Sequence, residues 1–141
     1  MNLEVAPGGL GAADAVVPGG SGAARVLMTT DAVGGVWTYA IDLARGLSAA
    51  GIEVVLAVMG PALDRAQRAE AAAVPGLTLV DTGLPLDWLA RDPRAIDEVA
   101  EAVADLARFS AVDLVHHNSP ALARPMDVPV VGVAHSCVAT W

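Results

Sequence analysis

Short apolar runs alternate with stretches of helical spacing along most of the chain. Residues 25–30 (Arg-Val-Leu-Met-Thr-Thr) form a compact β-prone run. Beyond Asp31-Ala-Val-Gly-Gly35 the period becomes helical, with Ala40, Ile41, Ala44 and Leu47 on one face. Gly51 predicts the end of that helix as a left-handed cap. Residues 53–58 read as a second buried strand closed by Gly60-Pro61, residues 61–73 as an Ala-rich, helix-prone segment, and residues 77–81 as a third strand. Residues 86–90 have the length of a single turn. Asp92-Pro93 then predicts a helix start, an N-cap carboxylate followed by proline at the first helical position. That helix extends to about Phe109, with Ile96, Val99, Ala100, Val103, Leu106 and Ala107 as its apolar stripe. Residues 112–116 and 128–134 complete the set of strands.

Strands that are apolar on both faces and separated by helical segments predict a parallel sheet covered on both sides, hence a Rossmann-like α/β unit. Residues 1–24 differ. They are rich in Gly, Ala and Pro, show neither strand nor helix period, and bury too little to offset their ordering entropy. They are expected to be a disordered tail, and a misplaced start site explains such a segment equally well. The globular unit then spans residues 25–141. A further helix is expected to cover the last strand, yet only residues 136–141 follow His135, so the sequence reads as cut within a βα repeat.

Composition narrows the chemistry. All eight cationic residues are arginine, against sixteen Asp and Glu, for a net charge of −8. Without lysine there is no Walker A phosphate loop and no Schiff base, and no clustered cations offer a nucleic-acid face. The 55% hydrophobic content is spread over short runs broken by Gly, Asp or Pro, and none approaches the ~18 residues of a spanning helix. The N-terminus lacks the cationic start and apolar block of a signal peptide, and the lone Cys137 has no internal disulfide partner. These features point to the cytosol.

In open parallel sheets ligands bind outside the carboxyl ends of the strands. That rule selects residues 29–37, 59–61, 116–121 and 135–136; in the first, the glycine pair Gly34-Gly35 ahead of a helix, following Asp31, suits a phosphate or sugar oxygen, or is simply a tight turn. The dinucleotide fingerprint G-x-G-x-x-G is absent, and the second strand ends without an acidic residue for a ribose. His116, His117, Asn118 and Ser119 form the third place. Strand parity lets only one of the two histidines face the crevice, and no third ligand completes a metal site, so neither metal nor cofactor is expected. Asn118 and Ser119 either cap the following turn or contact a substrate. The last place is His135-Ser136-Cys137. No G-x-S-x-G elbow supports a hydrolase there, and Cys137 is expected to be a small buried residue. Trp37 and Trp88 are expected to pack at crevice margins.

The run from Arg25 to Leu47 with Gly34-Gly35 at its turn, then Gly51-Ile-Glu-Val, Asp113-Leu-Val-His and Val130-Val-Gly-Val-Ala-His135-Ser136, resembles the N-terminal domain of GT-B glycosyltransferases of family 4. The resemblance implies retaining transfer of a sugar from a nucleotide-sugar donor to an acceptor, in a cleft between two Rossmann-like halves. It implies that Gly34-Gly35 lie against the donor phosphates, that His135 contacts the donor sugar as the catalytic-side residue, and that Asp31, His116, Asn118 and Ser119 line the substrate cleft. Asn118-Ser119 stand where related synthases often carry a His-Asp pair. The family's C-terminal half supplies the cations and the Glu-x7-Glu element for the nucleotide. This chain is therefore expected to be an N-terminal half, inactive alone. The alternatives are a non-catalytic half that docks on a partner subunit carrying the donor site, and a nucleotide-dependent oxidoreductase.

Overall fold

The computed structural model describes the backbone of residues 2–5 and residues 24–135. The strands are β1 (Asn2–Val5), β2 (Arg25–Asp31), β3 (Glu53–Met59), β4 (Leu77–Asp81), β5 (Leu114–His117) and β6 (Val130–Ala134). The helices are α1 (Gly35–Ala49), α2 (Arg65–Ala72) and α3 (Pro93–Phe109), with single 3-10 turns at Asp87–Leu89 and Pro120–Leu122. The sheet order is β1-β6-β5-β2-β3-β4. Five of its strands are parallel, and β1 alone is antiparallel, pairing Asn2 with Ala134 and Val5 with Val131.

Over residues 2–5 that edge strand replaces the expected disordered tail, and residues 6–23 lie outside the described residues. Asn-Leu-Glu-Val is too short to carry a recognisable period, but its backbone groups satisfy the edge of β6, which would otherwise stay open. Two strands also start later than the apolar pattern implies. Pro129 has no N–H to donate, so β6 begins at Val130. Asp113, ahead of β5, is tied to Arg25 twice, its N–H donating to Arg25 O and its carboxylate accepting from the Arg25 N–H, each at 2.8 Å.

The two faces of the sheet separate by residue parity. Met28, Val54, Leu56 and Val58 pack under α1 and α2 with Trp37, Ile41 and Ala44. Leu27, Val55, Ala57 and Val115 pack under α3 with Val103 and Ala107. Each fully buried Leu, Met or Val contributes roughly 1.5–3 kcal/mol. The ion pairs, among them Arg45–Asp42 and Arg108–Asp105, are all partly exposed and contribute at most about 1 kcal/mol each. The core therefore holds the fold.

Helix ends follow their sequence signals. Past α1 the N–H of Gly51 donates to Ser48 O at 2.9 Å and that of Ile52 to Leu47 O at 3.0 Å, a Schellman closure. Asp64 opens α2 in a capping box with Gln67, and Asp92 caps α3 through the Ala95 N–H with Pro93 beside it. At the end of β3, Gly60 has φ +88, and a Cβ there would lie 2.9 Å from Leu86 Cγ. Its N–H also donates to Leu84 O at 2.8 Å. Gly60 thus seats the 82–90 connection against the carboxyl end of the sheet.

Candidate functional site

From β2 the chain proceeds outward to β3 and β4, then returns to place β5 on the other side of β2. Open sheets leave a crevice where the strand order reverses in this way. A cleft of about 280 Å³ lies there, bordered by Thr29, Asp31, Asp87, Trp88, Asn118 and His135 among others. Its volume is near the lower bound for sites that enclose a small ligand, so it suits a compact group or one side of a larger site.

Asn118 holds the centre. Its Nδ2 donates to Thr29 O at 2.8 Å and its backbone N–H to Thr29 Oγ1 at 3.1 Å. Its Oδ1 lies 2.8 Å from His135 Nε2 and 3.2 Å from His116 Nε2. The ring of Tyr39, from the first turns of α1, meets His135 edge-on with centroids 4.6 Å apart, and His116 at 6.2 Å. Across the cleft the Ser119 hydroxyl donates to the Asp87 carboxylate, linking two loops distant in sequence. Neither Asn118 nor Ser119 caps the turn at Pro120–Leu122, so the capping reading gives way to these contacts.

Burial sets the protonation of this group. It lowers the pKa of His116, partly offset by the bond to Asn118, and lowers that of His135 against the pull of Asp31. Both rings are thus favoured neutral. Burial likewise raises the pKa of Asp31, opposed by the hydrogen bond from the Val33 N–H and reinforced by the Asp87 carboxylate. No lysine or arginine lines the cleft among the described residues.

Asp31, Asn118, Ser119 and His135 are brought together around the cleft. His116 lies just behind, in contact with Asn118. His117 takes the opposite face, as parity requires, and is fully buried. Gly34 and Gly35 stand beside the cleft at the head of α1, where Gly34 has φ +76, a backbone only glycine adopts readily. The first turn of α1 has no side-chain cap, and the loop before it is tied by the 3.0 Å bond from Val33 N–H to Asp31 and by the Gln67 amide to Ala32 O at 2.9 Å. Trp37 is not at the crevice margin as expected: it is buried in the core under α1, its Nε1 donating to Glu70 at 2.9 Å. Trp88 does border the cleft and is 61% exposed. Ser136, Cys137 and Trp141 lie outside the described residues.

Sequence reasoning placed Thr29 at the crevice, where it lies, but missed Tyr39 and Asp87. Tyr39 carried a signal, being the one tyrosine of the chain and standing one helical turn after Gly35. Asp87 carried none, because its role arises from a contact across 32 positions, and the partner of Thr29, Asn118, was equally out of view.

Fold and cleft together define a Rossmann-like α/β unit with a polar site at the carboxyl ends of its strands. The model of Glycosyltransferase Family 4 matches residues 33–141, and the chain belongs to that family. No curated protein matches it. A glycosyltransferase from Rickettsia africae ESF-5 is similar in fold, with a TM-score of 0.51 and 22% identity over 71% of this chain. The present chain spans only a quarter of that protein, 25% of its length. The C-terminal domain of a Pyrococcus furiosus hydrogenase is equally similar, with a TM-score of 0.51 and 18% identity over 89% of this chain and 100% of that one. At these identities the likeness shows the fold alone. Among the described residues no helix is long and apolar enough to cross a membrane, and no cluster of three His, Cys, Asp or Glu could hold a metal.

Proposed function

We propose that the chain is the acceptor-side, N-terminal Rossmann half of a retaining glycosyltransferase that moves a sugar from a nucleotide-sugar donor to an acceptor. Family membership supports the transferase chemistry. The observation that carries the division of labour is the cleft, which pairs a neutral-favoured His135 with two carboxylates, Asp31 and Asp87, and has no cation among its described lining. Such a surface suits sugar hydroxyls and repels a diphosphate. The free N–H groups at the head of α1, behind Gly34-Gly35, offer only part of the needed stabilisation. The nucleotide is therefore held by a second Rossmann half, and this chain alone does not turn over donor.

In this reading His135 contacts the donor sugar, while Asp31 and Ser119 bind acceptor hydroxyls. A cytosolic location fits the use of nucleotide sugars. The exposure of Trp88, Leu89 and Val33 near the cleft, at 61%, 65% and 52%, favours a protein surface covering that rim. A docking half on a separately encoded partner fits this exposure as well as a fused one does.

The test is release of nucleoside diphosphate from UDP-glucose or GDP-mannose, by the chain alone and with a family 4 C-terminal half supplied. The expected result is release only with both halves, abolished by His135→Ala. Sugar transfer by the chain alone would overturn the proposal.

A further inference from the structure

Every strong hydrogen-bonding site on the Asn118 oxygen is taken. Thr29 O is a backbone carbonyl and only accepts, so the group 2.8 Å from it is the amide nitrogen and the side chain cannot be flipped. The oxygen end of the amide therefore faces His135 Nε2 at 2.8 Å and His116 Nε2 at 3.2 Å. An amide oxygen has lone pairs and no proton, so each of these ring nitrogens carries the hydrogen. A neutral imidazole has only one N–H. Its Nδ1 is then bare, and for His135, which borders the cleft, Nδ1 has no partner among the described residues.

We infer that Asn118 is a positioning residue, not a substrate contact: it holds His135 in the Nε2–H tautomer, so that Nδ1 accepts a hydrogen bond from a hydroxyl of the bound sugar. The tautomer follows from the geometry alone, whereas the hydroxyl as ligand rests on the glycosyltransferase reading above. Tyr39 completes the device by fixing the plane of the ring through its edge-on contact. The groups facing His135 are Asp31 from β2, Tyr39 from α1, and His116 and Asn118 from β5 and its exit. Only Asp31 favours the imidazolium, in which a proton on Nδ1 would abolish the acceptor. Hydroxyl recognition is accordingly lost as pH falls through the His135 pKa.

The ring 15N shifts of histidine-labelled full-length chain test this without any assay of turnover. The expected spectrum has His135 Nε2 protonated and Nδ1 unprotonated above its pKa. A protonated Nδ1 in the unaltered chain would overturn the proposal. Asn118→Ala should convert His135 to a mixture of tautomers, and an unchanged tautomer in a folded variant would equally overturn it. Should the alanine variant not fold, the unaltered chain decides: the His135 Nε2–H, bonded to Asn118 Oδ1, should exchange with water far more slowly than a free imidazole proton, and exchange at the free rate would overturn the proposal. With the C-terminal half supplied, donor turnover indifferent to His135→Ala would sink the glycosyltransferase reading instead, with the expected tautomer still supporting the positioning role.

Discussion

His116 and His117 are neighbours on one strand with opposite fates. The ring of His116 turns to the α1 face, where Asn118 satisfies its Nε2 and Tyr39 lies alongside. His117 turns to the α3 face, fully buried, and neither ring nitrogen has a partner among the described residues. Arg124 Nε, a nearby buried donor, is equally without one. One histidine thus belongs to a hydrogen-bonded polar network and the other to an apolar layer. The network's polar groups contribute little net stability while each keeps its partner. The apolar layer contributes stability and is damaged by any charge placed in it.

The largest expected effect comes from charging the wrong side. Burial, with smaller contributions from His116 and Arg124, pushes the His117 pKa down to about 4. The unfolded chain takes up this proton near 6.5, so folding stability is complete above that pH and falls as pH drops toward 4. The loss amounts to about 3 kcal/mol. Urea denaturation at a series of pH values should show it, and His117→Leu should remove that part of the acid sensitivity while costing little or nothing at neutral pH. If His117→Leu leaves the pH dependence intact, the contrast between the two histidines fails.

Gly60 tests the wall of the cleft. Gly60→Ala adds a methyl 2.9 Å from Leu86 Cγ at a positive φ, and should destabilise by about 2 kcal/mol in thermal or denaturant unfolding. An effect well below 1 kcal/mol would mean that the 82–90 connection yields freely. On the α3 side, Asp92→Ala removes the cap from the helix that covers His117's layer and should cost about 1 kcal/mol by the same measurement. The smallest change in stability is expected from His135→Ala. This residue lies at the cleft surface, and its loss should shift unfolding by no more than about 0.5 kcal/mol while abolishing donor turnover in the two-half assay. A large loss of stability would place His135 with His117 as a packing residue.

Much of this contrast could be read from the sequence. Two-residue parity separates His116 from His117 in any strand, and Asp92-Pro93 marks the start of α3 because capping chemistry is local. Asp31, Asn118, Ser119 and His135 were legible as candidates because strand ends in a parallel sheet collect ligands wherever they fall. What they do there was less visible. The bonds of Asn118 reach Thr29 and His135, and that of Ser119 reaches Asp87, partners that only the folded sheet brings near. Trp37 misled for the same reason: a tryptophan near a loop looks like a rim residue until Glu70 is found to receive its N–H from another helix. The pairing of β1 was not legible, since four residues carry no period and an edge strand is selected by the vacancy beside β6.

The strand order also makes the cleft mechanically lopsided. β2 sits mid-sheet and is laddered to β3 from Arg25 to Asp31, so the wall bearing Thr29 and Asp31 opens only when the sheet does. β6 pairs with β5 only over Val130, Val131 and Gly132 and has the four-residue β1 on its other side, so the wall bearing His135 is held by shorter ladders. Amide hydrogen exchange should accordingly be slowest along β2 and several orders of magnitude faster at Val133 and Ala134. The histidine is carried on the lightly laddered strand and the carboxylate on the central one, so any ligand-driven adjustment of this half is expected chiefly at β6.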